Sequence, residues 1–201
     1  MKKHLAAVFL SAIFLAGAFL LLYPSVSDYW NTLRHAQAIT EYSDAAGELP
    51  SGIHDDLWAD AENWNKKLSE SGWSLALPEE ELAQYESLLD PTGNGMMGYI
   101  EIPRIDCSLP ICHGSNEKAL QTFIGHIPGS SLPVGGENTH CVLSGHRGLP
   151  SSKLFTDLDQ LEVGDIFQLN ILGKTLTYEI DQILTVLPEN VSALEIQNGE
   201  D

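Results

Sequence analysis

The chain has 201 residues, room for one good domain plus appendages, and its glycines and prolines are spread rather than clustered, which argues against disorder. Ten basic side chains stand against 28 acidic ones, a formal net charge of −18. Such a surface repels phosphate backbones and excludes a nucleic-acid partner. The acidity itself reads as solvated helix faces.

The first predicted element is a membrane anchor over residues 1–24. Lys2 and Lys3 precede the run Leu5 to Leu22, eighteen residues with no charge and one serine. That is just long enough to span a bilayer as a helix. Tyr23, Tyr29 and Trp30 follow where interfacial aromatics sit, and lysines in front with acids behind predict an inside amino terminus and an extracytoplasmic body. "SVS" at 25–27 has the small residues of a signal-peptide cleavage site, but the apolar run exceeds the usual signal core of about 7–15 residues. The uncleaved anchor is the reading adopted.

Residues 25–91 read as a helical layer. Thirteen acids lie between Glu41 and Asp90, against only Lys66 and Lys67. Leu57, Ala61, Trp64 and Leu68 recur on one helical face. Pro78 before Glu79, Glu80 and Glu81 marks a helix start, with acids at the positive end of the dipole, and Leu82, Tyr85 and Leu89 continue an apolar stripe. "SESGWSLAL" between them reads as an irregular connection carrying Trp73.

At "DPTGNGMMG" the texture changes, and glycine with proline predicts a boundary near residue 92. Short segments rich in β-branched and aromatic residues follow: "MGYIEIPRI", "SLPICHG", "HCVLSGH", "DIFQLNIL" and "KTLTYEIDQILTVL", with a hairpin expected around Gly173. Regular short strands of this kind predict a barrel or sandwich.

Four of the seven histidines and all three cysteines fall between Cys107 and His146. Cys107-x4-Cys112 and His140-Cys141 match no common zinc spacing, so no metal site is predicted. A disulfide on an oxidising face and three small buried thiols both remain open for these cysteines. Ser144 stands before Gly145-His146 without the G-x-S-x-G elbow of a serine hydrolase. His146, between Gly145 and Arg147-Gly148 after a short apolar run, is well placed for acid/base work, but needs a nucleophile to serve.

"MGYIEIPRI", "LPICHG", "GHIPGSSLPVGGENTHCVLSGHRGLPSSKLFTDLDQLEVGD" and "YEIDQILTVLPE" resemble the class C sortases, the pilin-polymerising cysteine transpeptidases of Gram-positive cell surfaces. The resemblance runs through nearly all of residues 95–196 and includes "YPSVSDYWN" after the anchor. It implies a mainly β fold: a sortase-like β-barrel over 92–201, preceded by the transmembrane helix and the α-helical layer with its lid. It implies cleavage of LPXTG-like sorting signals of pilins or surface proteins, followed by a lysine isopeptide bond between pilin subunits, at the cell membrane and with no cofactor. His146 matches the family's proton donor and acceptor, and His126 and His140 match positions assigned to packing or hydrogen bonding.

The resemblance also implies an absence. The family carries its nucleophilic cysteine and oxyanion-stabilising arginine in a "TLVTCTPYGVNTHRLLVRG"-like segment beyond the strand matching "SALEIQNGED". The residues end at Asp201, no arginine follows Arg147, and Cys107, Cys112 and Cys141 all precede His146. The barrel is therefore expected to lack its last strands, and the chain to be inactive by truncation. A non-catalytic membrane-anchored remnant, or a module that binds sorting signals, is the alternative. Asp90-Pro91 is followed by Thr92 rather than the aromatic of the family's lid plug, which leaves Trp73 as the plug candidate.

Overall fold

The computed structural model describes residues 2–71, 77–187 and 190–195. Trp73 lies outside the described residues.

Helix α1 runs without a break from Lys2 to Glu48, with Pro24 inside it. Its apolar part is long enough to cross a membrane, with a mean hydropathy of 2.6 over its best window, and none of that window is buried. Beyond Val26 the character changes. Asn31, His35, Tyr42 and Ala46 are buried, at the four- and seven-residue spacings that put them on one helical face. One helix thus serves two roles: an apolar rod, then a polar stripe docked on the domain.

Helix α2 (Ser51–Ser71) and helix α3 (Glu79–Ser87) complete the helical layer. Ala61, Trp64 and Leu68 are buried as their periodicity predicts, and Trp58 joins them in the main core. Helix α3 begins after Pro78 with its three glutamates in the first turn. It stops at Ser87, so the buried Leu89 belongs to the turn that follows, in a left-handed conformation at φ 57°.

The remaining strands form one mixed sheet: β1 (Met96–Ile102), β2 (Cys107–His113), β3 (Ile124–His126), β4 (Leu143–Ser144), β5 (Ile166–Ile171) and β6 (Lys174–Glu179). Their order is β4-β3-β2-β1-β5-β6. Only β2 and β3 run parallel, joined by a crossover that holds the short helix α4 (Glu117–Leu120). The expected hairpin forms between β5 and β6, with Leu172 and Gly173 both at positive φ, as a two-residue primed turn requires. Among the described residues the sheet is open, with β4 and β6 as its edges, and α1 alone, at 47 residues, outweighs all the strands. "HCVLSGH" yields only the two paired residues of β4, and "IDQILTVL" does not continue β6. Both segments lie at an edge, where only one side offers hydrogen-bond partners.

A buried polar network ties the helical layer to the sheet. His126 is fully buried; its Nε2 donates to the Ser131 carbonyl at 2.8 Å, which leaves Nδ1 to accept from the Tyr85 hydroxyl at 2.8 Å. Gly114 N–H donates in turn to the Tyr85 oxygen at 3.1 Å. Asn65 of α2 bonds both the carbonyl and the N–H of Leu132, at 3.0 and 2.7 Å.

Burial holds the His126 imidazolium down to a pKa of about 4, against 6.5 for a free side chain; the Ser131 carbonyl works the other way and His113 adds to the lowering. The fold therefore prefers neutral His126, while an unfolded chain takes its proton first as pH falls. This stabilisation is complete above pH 6.5, is lost progressively between pH 6.5 and 4, and falls no further below. At most it amounts to about 3 kcal/mol. Urea unfolding of the full chain in detergent, followed by tryptophan fluorescence, should show this loss between pH 7 and pH 4.5. In His126→Gln the same pH change should matter much less; an equal acid loss in that variant would assign the effect elsewhere.

Candidate active site around His146

Strand β4 delivers the chain to Gly145 and His146. Gly145 is required by packing: a Cβ there would sit 2.6 Å from Phe155 Cδ2 and 2.8 Å from Ile124 Cγ2. The backbone thus lies directly on the core just before the histidine. The carbonyl of His146 accepts the N–H of Phe155 at 3.2 Å, so both sides of the loop 147–154 are pinned. Arg147 pairs with Asp159 at 2.6 Å, with both side chains more than half exposed, an arrangement that adds little stability. Gly148, at φ 76°, turns the chain, and its N–H donates to Thr156 Oγ1 at 3.0 Å.

Helix α1 holds this loop from the other side. Asn31 Nδ2 donates to the Ser151 carbonyl at 2.7 Å, and Lys153 N–H donates to Asp28 Oδ1 at 2.8 Å. His35 Nε2 donates to the Thr122 carbonyl one turn further along. Sequence reasoning missed these three tethers. A signal was present: Asp28, Asn31 and His35 are polar residues at helical spacing just beyond an apolar run.

His146 is half-buried. It is not among the residues lining a cavity of about 740 Å³ that opens between β4 and β6. That space is walled by Leu143, Phe155, Leu158, Phe167, Tyr178 and Leu184, with His140 and Cys141 at one side. His140 Nδ1 donates to the Glu195 carbonyl at 3.0 Å, so the segment after β6 returns across the cavity to the loop before β4.

All three cysteines are free thiols. Burial pushes Cys107 up to about 11, with Asp157 and Asp106 adding to it. Burial and Asp90 push Cys112 up to about 11, and burial alone takes Cys141 to about 12. A nucleophilic thiol needs the opposite, a neighbouring positive charge that favours the thiolate. Burial acts on all three and carboxylates on Cys107 and Cys112, and both disfavour the thiolate. The Asp90 carboxylate is occupied in the turn before β1, accepting from Asn94 N–H at 3.2 Å and Gly95 N–H at 2.9 Å.

A family model described as "Sortase domain" matches residues 100–201. The chain belongs to the sortase family. Its structural neighbours are class C sortases: sortase C1 of Streptococcus agalactiae is 46% identical, at a TM-score of 0.79 over 81% of this chain and 84% of that one. Sortase C of Streptococcus pneumoniae is 36% identical, at a TM-score of 0.71 over 81% and 83%. Sortase D of Bacillus subtilis is 31% identical over 119 residues, 59% of this chain and 57% of that protein. The chain thus spans about half the length of the curated relatives it matches. Within this sortase fold, His146 stands just past a strand whose outer edge is free among the described residues, held by Phe155 on the core side and by α1 through the loop that follows.

Proposed function

We propose that the chain is the anchor-bearing and histidine-bearing part of a class C sortase transpeptidase acting outside the cell. Residues 1–24 anchor it in the cytoplasmic membrane, 25–91 form the helical layer, and 92–201 form a β-barrel that two further strands complete. The observation that carries this reading is the position of His146, two residues past β4, whose outer edge has no partner strand among the described residues. A strand added there would run about 4.8 Å from β4 and set its side chains beside the imidazole. A segment like "TLVTCTPYGVNTHRLLVRG", in the same polypeptide or another, would supply the missing cysteine and arginine at that edge.

The chemistry then follows. The thiolate attacks the threonine carbonyl carbon of an LPXTG-like signal on a pilin or surface protein, and the arginine stabilises the oxyanion. The Thr–Gly C–N bond breaks, and the leaving amine takes its proton from the His146 imidazolium, leaving a thioester. A lysine amine of the next pilin attacks that thioester and gives its proton to His146. The thiolate leaves and an isopeptide bond remains.

The test extends the chain with such a segment and offers an LPXTG-like peptide. An acyl adduct on the added cysteine is expected by mass spectrometry, and His146→Ala should slow cleavage by about 10²–10⁴-fold. An extended chain with no adduct would remove the transpeptidase reading, and full activity in His146→Ala would remove the role given to the histidine. The three raised thiols favour a second reading for residues 1–201 taken alone, a module that binds sorting signals without cleaving them. Peptide binding without turnover in the unextended chain is its signature.

A further inference from the structure

Helix α1 is a ruler that leads from the apolar run into the domain. Nothing interrupts it, and its docked stripe starts at Ser27 and Asp28, immediately after the exposed residues 4–16 and 19–26. At 1.5 Å per residue, Asp28 lies about 9 Å beyond Leu22 along the axis, Asn31 about 14 Å and Tyr42 about 30 Å. Each of these residues holds a different level of the domain. Asp28 and Asn31 hold Lys153 and Ser151, whereas the Tyr42 hydroxyl donates to the Met97 carbonyl at 2.7 Å and accepts the Leu172 N–H at 2.9 Å. The loop after His146 is therefore the membrane-near end of the domain, and the β5–β6 turn is a far end. The start of α2 is more distant still, since His54 donates to the Ala46 carbonyl.

We propose that the loop 147–153 rests on the lipid headgroups, so that the candidate active site works at the bilayer surface rather than out in solvent. This rests on the anchor reading of α1. A headgroup layer is about 5–8 Å deep on each side of the hydrocarbon, so the loop backbone stands just outside it and its side chains reach in. Charge fits that partner. "RGLPSSK" holds two of the chain's ten basic residues and no acid, in a chain of net charge −18. Arg147 is partly neutralised by Asp159, but the exposed Lys153 forms no ion pair among the described residues. Tyr23, Tyr29 and Trp30, exposed on α1, stand at the same levels as an interfacial aromatic belt. Pro24 removes one helical hydrogen bond at the junction, which can change the tilt of the domain but hardly its height.

The experiment places a photoreactive benzophenone amino acid at position 153 or, as a control, in place of the exposed Asp55, in the full chain reconstituted in vesicles of phosphatidylglycerol and phosphatidylcholine. Lipid adducts at position 153 should exceed those at position 55 several-fold. A seven-residue alanine insertion between Val26 and Ser27 should abolish the excess. It lifts the domain by about 10 Å while turning it by only about 20°, so the docked face is kept. Equal adducts at the two positions, in a chain that resists carbonate extraction, would overturn this inference and leave the anchor standing, as would an excess that survives the insertion. Release of the chain by carbonate would overturn both.

Discussion

Incubated with an LPXTG-like peptide, residues 25–201 should form no thioester at Cys107, Cys112 or Cys141. With the first two thiols held up to about 11 and the third to about 12, only roughly one in 10⁴ to 10⁵ is ionised at pH 7, against a few per cent for an ordinary thiol near 8.5. A more basic thiolate is a better nucleophile, which recovers part of that loss. It does not recover access. Cys107 and Cys112 are half-buried at the two ends of β2, and Cys141 faces the cavity beside His140 rather than His146. None of the three stands with His146, the residue proposed to protonate the leaving amine, in the cavity that Cys141 lines. Mass spectrometry of the intact protein after prolonged incubation should show unmodified mass. An acyl adduct that disappears in one Cys→Ser variant would place the nucleophile among these three and reverse the assignment of the site.

Sequence pattern and structure agree most closely where periodicity and turn chemistry point the same way. Leu57, Ala61, Trp64 and Leu68 mark the inner face of α2, and the β5–β6 hairpin turns at the expected glycine. Agreement weakens where a segment's state depends on a neighbour. "TLTYEI" alternates as a strand should, but the β-branched and apolar residues that follow extend no ladder: the strand ends at Glu179, Ile180 makes its last backbone bonds to Gly164 and Asp165, and Ile183, Leu184, Val186 and Leu187 stay exposed. Propensity cannot hold a strand that has no ladder to join. His146 was legible from its flanking residues and the resemblance they carry, but its supports were not. The bond from Asp28 to Lys153 spans 125 residues, and no local pattern announces a contact between the long amino-terminal helix and the loop after His146. Trp64 and Tyr85 read as helix packing, and for Trp64 that is what the core shows; Tyr85 also carries the hydroxyl that holds His126.

Residues 25–201 alone should unfold over a broad, low-temperature transition, bind the apolar dye ANS and aggregate, and two added strands should cure all three. Among the described residues the sheet ends at β4 and β6, each with one row of backbone N–H and C=O groups that lacks a strand partner. The cavity of about 740 Å³ between them is lined by apolar side chains that are only partly covered: Leu143, Leu158, Phe167, Tyr178 and Ile180, with Leu184 well exposed. Full burial of one such side chain is worth roughly 1.5–3 kcal/mol, so covering the exposed half of six contributes about 5–9 kcal/mol. A whole domain is stable by only about 5–15 kcal/mol. The covering strands therefore decide whether the domain is comfortably folded or barely so, and their hydrogen bonds to the two edges add to the difference. A family-like two-strand segment, supplied in the chain or as a separate peptide, should raise the midpoint, sharpen the transition and displace ANS. With the separate peptide the midpoint should rise with peptide concentration, because only the folded domain binds it. A sharp transition with well-dispersed amide signals in the uncomplemented protein, unchanged by the peptide, would mean that residues 180–195 already close the core and that the gap between β4 and β6 is no site for further strands.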